Sequence, residues 1–348
     1  MRVPRRVTVF GAGSVGCYLG GRLAAAGNRV TFIGRPRVGD ELAGHGLHLT
    51  DLYGGDHRVE PADFRFHTSV EDCGQDAAAS GGVAADVVIV SVKSADTHET
   101  ARRIRPLVGP NTVVLSTQNG IGNAEVLRAA LADGIVLAAM VPFNVLRRGG
   151  GIFHQGSAGE LEAQSHPALD PIAAMFADAG LPIRARKNFD AVQWGKLLLN
   201  LNNPLNALSG LPLREELAQR SYRTVLALAQ AEALGVLEAR GIRPARVTVL
   251  PARWLPRVLG VPDPLFRVLG RRMLEIDPMA RSSMWEDLEA GRRTEVDWIS
   301  GEVVRLAEKS GLSAPVNARL VELIRDAESG GKRQWSGEEL LAHLSVSA

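Results

Sequence analysis

The first half of the chain alternates short β-branched runs with longer stretches whose apolar residues recur at helical spacing. The runs at 7–10, 29–33, 86–92, 112–116 and 135–141 predict strands. Strands alternating with helices predict an α/β fold with a parallel, doubly wound sheet. Val87, Val88, Ile89 and Val90 are apolar on both sides of the strand alternation, which suits a central strand covered by helices on both faces. Gly149, Gly150 and Gly151, followed by short runs at 152–155 and 160–162, predict a β-hairpin closing the sheet edge, with a linker around 183–188.

From Phe189 the spacing becomes helical, at 192–201, 214–239, 284–289, 296–309 and 317–327, so the second half is expected to be all α. The expected domains are 1–187 and 188–348. Within the second, an insertion at about 241–280 carries seven arginines and several prolines. Its apolar stretches at 254–259 and 264–274 predict a short helical hairpin, a solvated insertion by default and a lid or homodimer contact in the alternative.

Composition narrows the function classes. Forty basic and 38 acidic side chains leave a net charge of +2, so no global field favours nucleic acid or an anionic membrane. No apolar stretch reaches the roughly 18–20 residues of a membrane span. Two cysteines, Cys17 and Cys73, make neither a disulfide framework nor a metal-ligand pattern. A cytoplasmic protein without a metal is expected. The eight histidines are scattered, and no G-x-S-x-G elbow is present, which disfavours zinc and serine chemistry.

Gly11-Ala12-Gly13-Ser14-Val15-Gly16 places G-x-G-x-x-G between a strand and a helix. The first glycine permits a tight turn, the second lets a pyrophosphate approach the backbone, and the third packs helix on strand. This context predicts a Rossmann-type dinucleotide domain. At the tip of the next strand, where an acid would bind a ribose 2′-hydroxyl, stand Gly34 and Arg35. A guanidinium suits a 2′-phosphate by charge and fork geometry, which favours NADP(H), with Arg37 as a second candidate. Lys93 and Gln118-Asn119-Gly120 fall at two further strand ends, where open α/β sheets place ligands.

Together with these, Trp194-Gly195-Lys196-Leu197 followed by Asn200, and Ser282-Ser283-Met284-Trp285-Glu286-Asp287 leading to Arg293-Thr294-Glu295-Val296-Asp297, resemble the ketopantoate reductases, or 2-dehydropantoate 2-reductases, over nearly the whole chain. The resemblance implies NADPH-dependent reduction of a small 2-oxo acid to a 2-hydroxy acid. In that family 2-dehydropantoate gives pantoate, on the route to pantothenate and coenzyme A. It implies Lys196 as proton donor and Asn200 and Ser283 as substrate ligands. Asn119 would touch cofactor and substrate, Lys93 would lie near the nicotinamide, and Glu295 would border both ligands.

The residues also speak for themselves. Lys196 lies in a leucine-rich helix, where desolvation would lower its pKa. Positions 196, 200 and 203 are spaced to share one helix face, which would align Lys196, Asn200 and Asn203. Ser283 reads either as a substrate ligand or as the cap of a helix with Glu286 at its third position. Glu295 reads either as a partner of Lys196 or as an acid at the start of a helix from Val296. Two positions depart from the family pattern. Pro204 stands where a second asparagine falls, unless a register shift lets Asn203 serve, and Ala280 replaces an asparagine three residues before Ser283. A reductase of a different 2-oxo acid, or a non-catalytic NADP(H) sensor, are the alternatives.

Overall fold

A computed structural model describes residues 4–73, 85–248, 250–270, 274 and 279–345. The end of the helix expected at 264–274 and part of the arginine-rich insertion lie outside the described residues. The chain divides into two units, Met1–Phe189 and Asp190–Ala348.

Among its described residues unit one carries strands β1 (Arg6–Phe10), β2 (Arg29–Ile33), β3 (Leu47–Asp51), β4 (Asp56–Val59), β5 (Phe64–His67), β6 (Val87–Val90), β7 (Val113–Ser116), β8 (Ile135–Met140), β9 (Val145–Gly149), β10 (Ile152–Gln155), β11 (Leu161–Gln164) and β12 (Ile183–Arg186). The main sheet runs β12-β11-β8-β7-β6-β1-β2-β5, parallel except where β11 meets β8. From β1 the chain first builds outward through β2 and β5, then returns to add β6 on the other side of β1. That reversal puts a topological switch point between β1 and β6, where open sheets leave a crevice at the carboxyl ends of the strands. Five main-sheet strands fall where the hydrophobic pattern predicts them.

Two expectations about the sheet edge are corrected. The glycine triplet makes its hairpin between β9 and β10, in a second sheet ordered β4-β3-β10-β9, while β11 joins the main sheet beside β8. The triplet turns the chain before Ile152, so the strand after it pairs backward with β9 and not forward with β11. The expected linker at 183–188 contains β12, which extends the sheet. An edge strand has little apolar surface to reveal it; Arg184 and Arg186 instead pair with Glu160 and Glu162 across the β12–β11 ladder.

Helix α1 (Ser14–Ala25) is packed between the two sheets. A methyl group at Gly20 would lie 2.5 Å from the Phe32 ring of the main sheet, and one at Gly21 would lie 2.8 Å from Leu49 of the second. Arg22 fastens the helix to the second sheet. Its guanidinium donates to Tyr18 Oη at 2.9 Å and pairs with Asp51 at 3.2 Å, and Tyr18 in turn donates to Gln155 on β10. Burial would raise the Asp51 carboxyl, but the Gly55 and Tyr53 N–H groups and Arg22 together hold it below the usual range. Helices α2 (Pro36–His45), α3 (Thr97–Ile104), α4 (Asn123–Ala130) and α5 (Asp170–Asp178) complete the named helices of this unit.

Unit two is helical: α6 (Phe189–Asn200), α7 (Asn202–Ser209), α8 (Leu213–Ala218), α9 (Arg220–Ala239), α10 (Leu255–Leu259), α11 (Asp263–Leu269), α12 (Ser283–Glu289), α13 (Ser300–Glu308), α14 (Pro315–Glu328) and α15 (Gly337–Ser345). The helix expected at 214–239 is broken at Gln219, whose backbone is extended. The insertion is not merely solvated, as its charge suggested. Leu255, Leu259 and Phe266 are buried, and the fully buried Arg223 of α9 donates to the Leu259 and Val261 carbonyls, pairs with Asp263 and stacks on Phe266. A guanidinium replaces water on the exposed carbonyls at a helix end. No helix of the described residues is long and apolar enough to cross a membrane.

Candidate active site

In unit one the glycine loop is shaped by close approaches. Gly11 has φ +106°, a value that an L side chain rarely adopts, and its N–H donates to Ile33 O at 3.0 Å. A methyl group at Gly16 would lie 2.2 Å from Gly11 O and 2.5 Å from Ser91 Oγ. Ser91, at the end of β6, donates to the same Gly11 carbonyl at 2.7 Å. Gly13 differs from both, because a Cβ there would meet nothing within 4 Å. It caps α1 without a side-chain hydrogen bond, and the first turn of the helix holds no acid. An open cradle over the first N–H groups of a 12-residue helix fits a pyrophosphate.

Beside the loop, Gly34 presses on Ala12, with room for no side chain. The next residue, Arg35, is exposed at the N-cap of α2, and Arg37 is exposed within its first turn. No acid stands at this strand tip. The tips of β6 and β7 are joined by a buried polar network that the sequence reading missed. Asn119 O accepts from Ser94 Oγ at 2.8 Å and from Asn123 Nδ2 at 2.7 Å. Thr97 Oγ1 donates to Asn123 Oδ1 and accepts from Gln118 Nε2. With the carbonyl lone pairs of Asn119 used, this loop is fixed relative to Lys93 and Ser94. The signal was available in Asn123, an asparagine one turn after Asn119 at the head of a helix.

In unit two Lys196 lies half-buried on α6. Burial nevertheless lowers its pKa to about 8, against the opposing pull of the Glu295 carboxylate. Glu295 is 6% exposed. The helix expected to start at Val296 is a single 3-10 turn, Val296–Trp298, and α13 begins only at Ser300. Gly195 explains the motif around the lysine: a methyl group there would lie 2.5 Å from Ala245 O, so the chain after α9 packs directly on α6.

Lys196, Asn200 and Asn203 do not share one helix. Helix α6 ends at Asn200, and Asn203 sits in the first turn of α7. The cause is Pro204, which has no N–H for the Asn200 carbonyl and whose ring would clash with it. The capping expectation is corrected by one residue. Ser282, not Ser283, caps α12, its Oγ accepting from Trp285 N at 3.1 Å. Ser283 is thereby the exposed first residue of the helix. Ser282 Oγ also reaches Asn203 O at 3.4 Å, bringing the starts of α7 and α12 together. Among the described residues no group of three His, Cys, Asp or Glu is placed to hold a metal.

Comparison with known proteins adds to this geometry. Residues 7–168 match the family Ketopantoate reductase PanE/ApbA, and residues 188–328 match Ketopantoate reductase PanE/ApbA C terminal. This chain belongs to the ketopantoate reductase family. It is therefore an oxidoreductase acting on CH–OH groups, in a family that uses NAD(P)H. The 2-dehydropantoate 2-reductase of Archaeoglobus fulgidus is 28% identical over 340 residues, covering 95% of this chain and all of the relative. That of Halobacterium salinarum is 28% identical, covering 94% of this chain and all of the relative. A PanE/ApbA family ketopantoate reductase from Ralstonia eutropha JMP134 superposes with TM-score 0.78 at 30% identity, covering 93% of this chain and 99% of that one. D-mandelate dehydrogenase, solved with NADH and anilino(oxo)acetate, shares the fold at TM-score 0.76 and 20% identity, covering 93% of this chain and 98% of that one.

Proposed function

We propose that this chain reduces 2-dehydropantoate to pantoate with NADPH, unit one holding the cofactor and unit two carrying the proton donor and the substrate ligands. The observation that carries it is the pair of Lys196 and Glu295, a lysine brought to about 8 by burial with a carboxylate acting on it. Bound NADPH supplies the hydride. At about 8, Lys196 is mostly an ammonium at neutral pH yet releases its proton readily, so it polarises the ketone and protonates the oxygen as charge grows there. Glu295 sustains that ammonium and accepts from the nascent hydroxyl. Asn200, Asn203 and Ser283 hold the carboxylate and hydroxyl of the substrate, and Asn119 and Lys93 serve the nicotinamide end. Gly11, Ala12, Gly13, Ser14, Val15 and Gly16 cradle the pyrophosphate.

Arg35 supports NADPH over NADH. It offers a charged fork to a 2′-phosphate at a strand tip that lacks a carboxylate for a 2′-hydroxyl. A second reading, a reductase of another 2-oxo acid, is favoured by Pro204 and Ala280, which replace two asparagines of the family pattern. Steady-state oxidation of NADPH, then NADH, with a panel of 2-oxo acids separates the two. The highest kcat/KM for 2-dehydropantoate with NADPH supports the proposal; no turnover of that acid, with turnover of another, gives the second reading.

A further inference from the structure

Under the start of α12 lies a buried carboxyl that the chemistry above does not use. Glu216, on α8, has no solvent exposure. Its Oε2 accepts from Asn206 Nδ2 at 2.8 Å and from Ser209 Oγ at 3.1 Å. The fully buried Asn206 also accepts, through Oδ1, from the Ser282 backbone N–H at 2.7 Å, and donates to Leu211 O at 2.9 Å. Ser282 caps α12 and touches Asn203 O. One chain of contacts thus runs from Glu216 through Asn206 to Ser282, which precedes Ser283 and holds the first turn of α7.

Among the described residues two acceptors in this cluster, Glu216 Oε1 and Asn202 Oδ1, have no hydrogen-bond partner. Asn202 lies beside the carboxyl and favours its charged form. Among the described residues no cation pairs with Glu216. Arg223 of α9 spends its guanidinium on the Leu217, Leu259 and Val261 carbonyls and on Asp263, and Arg281, before α12, donates to Gly210 O and stacks on Trp285. Tyr222 of α9, which faces both Glu216 and Glu339, donates to Trp335 O. Desolvation correspondingly raises Glu216 to about 7, even though Asn206, Asn202 and Ser209 favour its charged form.

We propose that Glu216 is a positioning residue for substrate recognition: its Oε2 holds Asn206, and through Asn206 and Ser282 it sets the placement of Ser283 and Asn203. This rests on the assignment of Ser283 and Asn203 to the substrate. The clamp consists of hydrogen bonds accepted by Oε2, so the side-chain oxygen of glutamine can take the place of the acid.

The experiment compares KM for the 2-oxo acid with KM for NADPH in Glu216→Ala, Glu216→Gln, Asn206→Ala and Ser283→Ala. Loss of a buried bond of this kind corresponds to about a 10-fold effect. Glu216→Ala and Asn206→Ala should raise the oxo-acid KM by about that factor, with the NADPH KM within about two-fold, and Glu216→Gln should restore it. An unchanged oxo-acid KM in Glu216→Ala, or a Glu216→Gln variant as impaired as the alanine, overturns the proposal. Where Glu216→Ala does not fold, Ser209→Ala removes one donor to the same oxygen; a rise of a few-fold in the oxo-acid KM alone supports the clamp and no change overturns it. If Ser283→Ala raises the oxo-acid KM while the Glu216 and Asn206 variants do not, the clamp fails and the substrate assignment stands. If Ser283→Ala also changes nothing, the substrate assignment fails and the clamp falls with it.

Discussion

Glu295 opposes the effect of burial on Lys196. Desolvation pushes the ammonium toward its neutral form, the carboxylate pulls it back, and the lysine comes to rest at about 8. The balance sets the pH range in which the group can both polarise an oxygen and give up a proton. Removing either influence moves that range in a known direction.

Glu295→Gln removes the carboxylate that raises Lys196, so its pKa falls below about 8. The alkaline limb of the pH–rate profile should then move toward lower pH, with kcat reduced about 10²-fold or more at neutral pH. Titration of 13C-dimethylated Lys196 by NMR checks the shift without turnover. An unmoved or upward-moving value contradicts the pairing.

Lys196 should also cost stability. Its folded pKa of about 8 lies below its ordinary 10.5, so the unfolded chain binds more protons between those values. Stability therefore rises as pH climbs from about 8 to 10.5, and the penalty is fully present below 8. Lys196→Met should gain about 1–3 kcal/mol at pH 7 in denaturant unfolding, the upper end discounted for partial solvent access, while losing activity. The gain should shrink at alkaline pH.

Glu216 gives the opposite slope. Its folded pKa of about 7 exceeds the ordinary 4.5, so the folded chain retains the proton longer. Its contribution is most favourable below about 4.5 and is lost as pH rises toward 7. Glu216→Gln should flatten unfolding free energy over that window, by order 1–3 kcal/mol, in parallel denaturant titrations.

The two loop glycines should separate folding from binding. Gly13→Ala points a methyl into open space, with φ −89° already suited to alanine, and should leave stability within about 0.5 kcal/mol while weakening NADPH binding by about 10-fold or more. Gly16→Ala collides with Gly11 O and Ser91 and should destabilise the chain by about 1–3 kcal/mol. Thermal unfolding alongside cofactor titration reads both effects.

Arg35→Ala should weaken NADPH by about 10–100-fold, the range for a charge-assisted bond to phosphate, and NADH by far less. Fluorescence titration with each nucleotide decides it; equal losses remove the 2′-phosphate assignment.

What the sequence reveals divides by how local the cause is. Central strands such as Val87–Val90 and the loop from Gly11 to Gly16 announce themselves, because burial on both faces and tight turns each demand particular residues in consecutive positions. Strand β12 does not, since its arginines pair with Glu162 on the neighbouring strand and Glu160 just before it. The helical face shared by Lys196, Asn200 and Asn203 was misjudged for a local reason that was visible: Pro204 withholds an N–H from Asn200 and ends α6 there. The clamp through Asn206 was not visible, because it joins residues 206, 216 and 282, which no periodicity connects.

Arg223 gives the segment containing α10 and α11 a significance that its surface chemistry conceals. Because this fully buried guanidinium is satisfied by carbonyls and a carboxylate of that segment, trimming Leu255–Leu259 or Asp263–Leu269 would leave a charge stranded inside the helical unit. Descendants of this sequence can vary the arginines facing water there, but they can shorten the segment only by replacing Arg223 at the same time. The segment and the long helix are in that sense inherited as a pair.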